Sequence, residues 1–519
     1  MIIDCTRTIA PLPHMWSKCI GAGRACEGLR AHWQDQLRTA ARECGFEYIR
    51  FHGLLAEDMF VCQEVNGVIQ YNWYYVDALY DFLLEAGVRP FVEFGFMPPA
   101  LASGAQTQFW WKGNVTPPRD FMQWGKLIGA LVAHWKERYG LEEIRRWYYE
   151  VWNEPNLPVF WGGTRSEYFE LYRHAVTTIK QVDSQLRVGG PATSNFVPDD
   201  RFDGEREDVS RHLTHRVEDL DCLSWHGVWI EQFLRFCEKE QLPVDFVSAH
   251  PYPTDFALDG LSQMRGRSRG KDSLYADMTW LRQTVEASAY PHAEICLTEW
   301  SSSPSPRDCA HDWLPAADYI VRSNLNCAGL ADALSYWVFT DIFEEGGGGP
   351  EAFHGGFGLM NMHGVKKPAY HAYRFLHQLG DRIVARQEEG VVTRSENGMV
   401  QGLWYNYAKD LKEAVPIAVY PEHDEALRIQ RSGSSRELNL TLTGLTPGAV
   451  FVLERMALED TAIGLWEKLG RPANLTRAQE AALKAALPRR ETLTADSQGM
   501  LQLELLLAPW ELVCLYQIA

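Results

Sequence analysis

The chain is short of positive charge and has no basic run. Its 519 residues carry 50 Lys and Arg against 68 Asp and Glu, a net charge of −18. Nucleic acid and anionic membrane surfaces are therefore disfavoured as partners. A polyanionic substrate is repelled only mildly, since such a field is screened within about 10 Å at ordinary salt. No apolar stretch approaches the ~20 residues of a membrane span. The opening string Met1-Ile2-Ile3-Asp4-Cys5-Thr6-Arg7 has no basic segment followed by an apolar one, so no signal peptide is expected and the expected compartment is the cytoplasm. The 11 cysteines, an odd number, form no CxxC pair and read as reduced thiols. There is no HExxH and no Cys/His cluster at zinc spacing, so neither a metal nor another cofactor is expected. Internal repeats and low-complexity linkers are also missing.

What is present is core. Hydrophobic residues make up 46% of the chain, including 19 Trp, enough for one large domain and a smaller one. Most of the tryptophans read as packing, although such rings also stack on sugars. From residue 15 to 380, β-branched and aromatic runs alternate with amphipathic stretches. The strands read as Trp16–Gly21, Tyr48–Leu54, Pro90–Phe96, Trp147–Trp152, Arg187–Gly190, Asp245–His250, Ala293–Thr298 and Leu334–Phe339. Helical stretches separate them, as in Trp73–Ala86, where Val76, Leu79, Tyr80 and Leu83 form one stripe. Eight such pairs predict a (β/α)8 TIM barrel of the α/β class. Residues 381–519 alternate as half-buried strands do, which predicts a C-terminal β-sandwich domain with one helical excursion near Arg477–Ala486. Residues 1–14 are expected to join that sandwich.

Active sites of such barrels lie at the C-terminal ends of the strands. Two strings end strands with a carboxylate there: Trp152-Asn153-Glu154-Pro155-Asn156 after the fourth, and Leu297-Thr298-Glu299-Trp300-Ser301 at the seventh. Hydrolysis of a glycosidic bond needs two carboxyl groups facing one another across a sugar, and Glu154 with Glu299 meets that need. Other polar residues gather at the same end: His52 after strand two, His250 and Tyr252 after strand six, and Trp337, Glu344 and Glu345 after strand eight.

Longer motifs run through these positions. They are Arg50-Phe51-His52-Gly53-Leu54-Leu55, Phe94-Gly95-Phe96-Met97-Pro98, Phe109-Trp110-Trp111-Lys112, Tyr148-Tyr149-Glu150-Val151-Trp152-Asn153-Glu154-Pro155-Asn156 and Tyr336-Trp337-Val338-Phe339-Thr340-Asp341-Ile342-Phe343-Glu344-Glu345. Over nearly its whole length the chain resembles glycoside hydrolase family 39, the family of bacterial β-xylosidases and the lysosomal α-L-iduronidase. The resemblance implies a retaining enzyme with Glu154 as acid/base and Glu299 as nucleophile. It also implies sugar contacts from His52, Asn153, His250, Tyr252, Trp337 and Glu344, and a non-proline cis bond between Trp337 and Val338.

Two departures stand out. The family's Ser-Arg-His-Ala-Tyr string reads Ser248-Ala249-His250-Pro251-Tyr252 here, and residues 196–228 form a charged insertion after strand five. Loops after barrel strands face the active site, so the insertion is expected to border the cleft or a neighbouring subunit, with Trp225, His226 and Trp229 as leaving-group contacts. Glu345 reads as a residue that holds its loop. The expected activity is removal of terminal β-D-xylosyl residues from short xylo-oligosaccharides or aryl glycosides. The alternatives are the same mechanism on an arabinoside, galactoside or iduronide, or a carbohydrate-binding pseudoenzyme, which would have lost a glutamate. Homo-oligomerisation is left open.

Overall fold

The computed structural model describes residues 1–198, 224–258, 264–408 and 422–518, the side chains of 254–268 excepted. Eight parallel strands close into a barrel: β1 Cys19–Arg24, β2 Tyr48–His52, β3 Arg89–Phe94, β4 Tyr148–Val151, β5 Arg187–Ser194, β6 Phe246–His250, β7 Glu294–Trp300 and β8 Ala333–Tyr336. Helices alternate with them: α1 Ala31–Cys44, α2 Tyr74–Glu85, α3 Phe121–Tyr139, α4 Arg165–Val182, α5 Ile230–Lys239, α6 Ser273–Glu286, α7 Leu314–Asn326 and α8 Pro368–His377. Local signals set their ends. Asp120 accepts from the amide of Met122 at the start of α3, and Thr164 with Glu167 forms a capping box on α4. Caps of this kind contribute about 1 kcal/mol each.

The first strand begins later than expected. Met15–Lys18 form a short helix and β1 starts at Cys19. Met15 and Trp16 are buried in either form, and an apolar run this short has no period to separate helix from strand.

Side-chain alternation stacks the barrel interior in layers. Cys19, Tyr48, Phe91, Tyr148, Phe246, Cys296 and Ala333 pack as an apolar floor. Two residues further along five of those strands come Arg50, Glu93, Glu150, Ser248 and Thr298, all buried. Polar chemistry thus begins one layer above the floor, toward the C-terminal mouth.

The C-terminal region is a two-sheet sandwich. Its strands are β9 Arg382–Gln387, β10 Gly390–Arg394, β11 Val400–Tyr405, β12 Arg436–Thr443, β13 Val450–Met456, β14 Arg489–Thr494, β15 Leu501–Leu507 and β16 Leu512–Ile518. One sheet runs Ala10–Pro11, β9, β10, β11, β16, β13, β14, and the other Ile2–Asp4, β12, β15. Ile3, Val392, Trp404, Leu440, Phe451, Leu503 and Val513 share the core between them. The first residues are therefore strands of this unit. Helix Arg477–Lys484 lies within the expected excursion, but His423–Gln430 and Ala462–Lys468 are helices where only strands were expected. Each is only about two turns long, too short for a 3.6-residue period to stand out. Both are stabilised by a separate apolar cluster with Trp313, Phe353 and Trp466. Among the described residues no helix is long and apolar enough to cross a membrane.

Candidate active site

Glu154 sits on a sharp turn. Trp152 and Glu154 both take left-handed backbone, with φ of 73° and 46°, a conformation that costs non-glycine residues of order 1–3 kcal/mol. The turn is stapled to β5: Glu154 N donates to Ala192 O at 2.9 Å, Asn156 Nδ2 donates to Ser194 O at 2.9 Å, and Ser194 N donates to Asn156 Oδ1 at 2.9 Å. Glu299 reaches the site by a different device. Strict alternation would send Thr298 and Glu299 to opposite sides of β7, but a bulge between Leu297 and Trp300 breaks the register with β8. Both side chains then bond to groups inside the barrel.

One carboxylate oxygen of Glu154, one of Glu299 and a ring nitrogen of His250 lie within 4.8 Å of one another. Their surroundings differ. Glu299 is met by donors: Arg50 Nη1 donates to Oε1 at 2.8 Å and Tyr252 OH to Oε2 at 3.1 Å. Glu154 Oε1 lies 2.9 Å from His250 Nδ1. Burial raises the Glu154 carboxyl to about 7, against the opposing pull of Ser194, His52 and Arg50. Burial also lowers His250 to about 4, with Arg50 and His52 reinforcing it and Glu299 and Glu150 opposing. Donor types alone would let this trio hold a cation. The Arg50 guanidinium already bonds Glu299 and supplies positive charge there, so the group does not fit a resident metal.

Arg50 organises the polar layer. It is fully buried; Nε donates to Glu150 at 2.6 Å, Nη2 donates to Asn153 Oδ1 at 2.9 Å and lies 3.0 Å from Glu93. Glu93 in turn holds His52 Nδ1 at 2.6 Å. Burial opposes a charge on His52, but Glu93, Glu345 and Glu299 outweigh it and raise its pKa to about 9. Asn153 Nδ2 is buried with no hydrogen-bond partner among the described residues, a free donor beside the two glutamates. Trp337 lies 4.7 Å from the His52 ring, and its bond to Val338 is cis, as is Gly95–Phe96. Gly21 makes room for the indole: a Cβ there would stand 2.6 Å from Trp337 Cε3.

The other residues singled out in the sequence sit in differing surroundings. Glu344 turns to the rim, paired with Arg24 at 3.1 Å and with Arg30. Its neighbour Glu345 faces inward, 3.3 Å from His52 Nε2, with Oε1 sealed from solvent. His250 has both ring nitrogens engaged, Nε2 2.9 Å from Thr298 Oγ1 and Nδ1 2.9 Å from Glu154 Oε1. Trp229 is buried, 6.4 Å from the rings of Tyr168 and Phe169, and is core. The root of the insertion, Phe196–Val197 paired with His226–Gly227, stands at the end of β5, where Asn195 N donates to His250 O at 3.2 Å. Trp225 lies under the Arg269 guanidinium at 3.7 Å. Residues 199–223 of the insertion lie outside the described residues.

The sequence alone places Arg50 in a motif without fixing its contacts, and gives Glu93, Glu150 and Thr298 no role. A signal existed: Glu93 in Phe91-Val92-Glu93-Phe94 and Glu150 in Tyr148-Tyr149-Glu150-Val151 are lone charges in apolar strands, and a buried charge demands a partner.

A closed (β/α)8 barrel with two facing glutamates at strand ends defines a glycoside hydrolase. Comparison with known proteins narrows the class. The family model for glycosyl hydrolases family 39 matches residues 1–502, and the chain belongs to that family. It is 37% identical to a β-xylosidase of Caldicellulosiruptor saccharolyticus over 499 residues, 95% of this chain and 92% of that protein. It is 36% identical to a β-xylosidase of Geobacillus stearothermophilus over 505 residues, 95% of this chain and 90% of that one. The crystal structure of the GH39 enzyme from Xanthomonas axonopodis pv. citri superposes with a TM-score of 0.85 at 32% identity, covering 99% of this chain and 96% of that one.

Proposed function

We propose that this enzyme is a retaining exo-acting β-xylosidase that releases terminal β-D-xylosyl residues from xylo-oligosaccharides by double displacement. The observation that carries the reading is the pair of close carboxylates in unequal surroundings. Retaining pairs stand about 5–5.5 Å apart and inverting pairs about 6.5–9.5 Å, and an oxygen of Glu154 lies within 4.8 Å of one of Glu299. Donors from Arg50 and Tyr252 suit Glu299 to attack as an anion, while the raised pKa of Glu154 suits it to carry a proton.

In the first step a Glu299 oxygen bonds to the anomeric carbon as the bond to the leaving oxygen breaks, and that oxygen takes the proton of Glu154. In the second, Glu154 removes a proton from water, whose oxygen replaces Glu299 on the anomeric carbon. Asn153 Nδ2 is the donor for the sugar 2-hydroxyl, a bond that strengthens toward the oxocarbenium-like transition state.

The β-xylosidase names of relatives at 36–37% identity support xylose as the glycone. The charges support a neutral sugar. Arg50 directs its donors to Glu150, Glu299 and Asn153, His52 is held by Glu93 with Glu345 beside it, and Arg24 and Arg30 are paired with Asp58 and Glu344. An iduronide carboxylate would need a cation of its own.

A panel of aryl glycosides tests the glycone. The β-xyloside should show a higher kcat/KM than the β-glucoside, β-galactoside, α-arabinoside or α-iduronide, and NMR should show β-xylose as the first-formed product. A panel led by another sugar overturns the xylose assignment. First appearance of α-xylose overturns retention.

A further inference from the structure

Resting on that reading of Glu154, we propose that Thr298 and Glu150 are positioning residues that fix the tautomer of His250, so that His250 meets Glu154 with a bare Nδ1 lone pair and holds it as a proton donor. The polarity follows from counting protons along one chain of contacts. Glu150 is acceptor-only as a carboxylate, receiving Arg50 Nε at 2.6 Å on Oε2 and the Thr298 hydroxyl at 2.8 Å on Oε1. A hydroxyl has one proton. With that proton given to Glu150, Thr298 Oγ1 can only accept from His250 Nε2, 2.9 Å away. A neutral imidazole carries one N–H, and here it is on Nε2. Nδ1 is then a lone pair facing Glu154 Oε1 at 2.9 Å, and a hydrogen bond across that distance needs the proton on Glu154.

The chain is sealed: His250, Thr298 and Glu150 are at most 1% exposed, so water does not compete for these contacts. Thr298 points inward by ordinary alternation, two residues beyond Cys296, and the bulge in β7 brings Glu299 in beside it. Burial keeps His250 neutral, with a pKa near 4. Other charged or titratable groups also act on Glu154. Arg50 and His52 favour its anion, while Glu93 opposes it. Glu299, Tyr252 and Glu345 lie close as well. None of them sets the direction of the His250 bond.

The arrangement serves both steps. Before the first it keeps Glu154 protonated. After the leaving oxygen takes that proton, the Glu154 anion faces a lone pair, which makes it a stronger base toward water.

The test is the pH dependence of kcat/KM for aryl β-xylosides with poor and good leaving groups, in wild type, Thr298→Val and Thr298→Ser. Valine cannot accept from Nε2, so His250 is released to place its proton on Nδ1 and donate to ionised Glu154. The alkaline limb should then move to lower pH by about one unit, the worth of one such hydrogen bond. Turnover of the poor leaving group should fall more than that of the good one, which needs no proton. Thr298→Ser keeps the acceptor and should leave the limb where wild type has it. An unmoved limb in Thr298→Val, or the same displacement in Thr298→Ser, overturns the proposal.

Should Thr298→Val fail to fold, nitrogen NMR of 15N-histidine-labelled wild type decides, with His250→Gln for assignment: a proton on Nε2 supports the relay and one on Nδ1 overturns it. Glu154→Ala in parallel separates the two readings. Azide rescue there with an unmoved Thr298→Val limb sinks the relay alone, whereas an unchanged pH profile in Glu154→Ala sinks the acid/base assignment beneath it.

Discussion

Arg50 donates through Nη1 to Oε1 of Glu299 across 2.8 Å, from a guanidinium that solvent does not reach. The same cation balances Glu150 and Glu93 in its own layer. Removing it leaves buried carboxylates without a counter-charge. Arg50→Met is expected to cost about 3–5 kcal/mol of stability in urea unfolding. Arg50→Lys, which keeps the charge but cannot span Glu150 and Glu299 together, should recover stability ahead of kcat.

Glu299→Gln should abolish turnover, since a neutral amide cannot form the glycosyl ester. The loss should exceed about 5 kcal/mol of transition-state stabilisation. Intact mass and peptide mapping after a 2-deoxy-2-fluoro xyloside should find one sugar, on Glu299 of the wild type. A label on another residue refutes the nucleophile assignment.

Activity should depend on Glu154 holding its proton. With its pKa raised to about 7 by burial, kcat/KM of the wild type should decline as pH rises through that value. Glu154→Ala should lose this limb, spare the first step for good leaving groups, and regain turnover with azide as a β-azide product. An α-azide argues against two displacements.

Neighbouring glutamates after β8 should separate cleanly. Glu345→Gln, facing His52, should lower kcat/KM by a factor worth about 1–3 kcal/mol, as the buried carboxyl beside His52 is replaced. Glu344→Gln, paired with Arg24 and Arg30 at the rim, should cost less than about 1 kcal/mol. Equal effects would contradict the inward placement of Glu345.

His52 links stability to alkaline pH. Its pKa is raised to about 9 in the fold from an ordinary 6.5, so its stabilising pairing with Glu93 is complete below about 6.5 and is lost as pH rises through 9. The unfolding free energy of wild type minus that of His52→Gln should shrink across that window. A difference independent of pH would show that His52 is not charged in the folded protein.

Most of the architecture was legible because barrel strands and helices carry periods long enough to read. Helix α2, Tyr74–Glu85, lies within the expected Trp73–Ala86, and β2, β3, β4, β6 and β7 lie within two residues of the expected bounds at each end. Misreadings fell on segments of only one or two turns, too short for a periodic pattern to stand out. Met15–Lys18, His423–Gln430 and Ala462–Lys468 are helices because buried neighbours hold them, not because their own pattern demands it.

The sequence by itself determined the alternation that closes the barrel, the sandwich that follows, and the two strand-end glutamates, because strand alternation and strand ends are local properties of a chain. Only the tertiary structure decided which polar side chains converge. The β7 bulge puts Thr298 and Glu299 on one side, Arg50 gathers groups from three other strands, and Glu345 turns inward while Glu344 turns to the rim. Those outcomes depend on register between strands far apart in sequence and on the pairing that burial forces on charge.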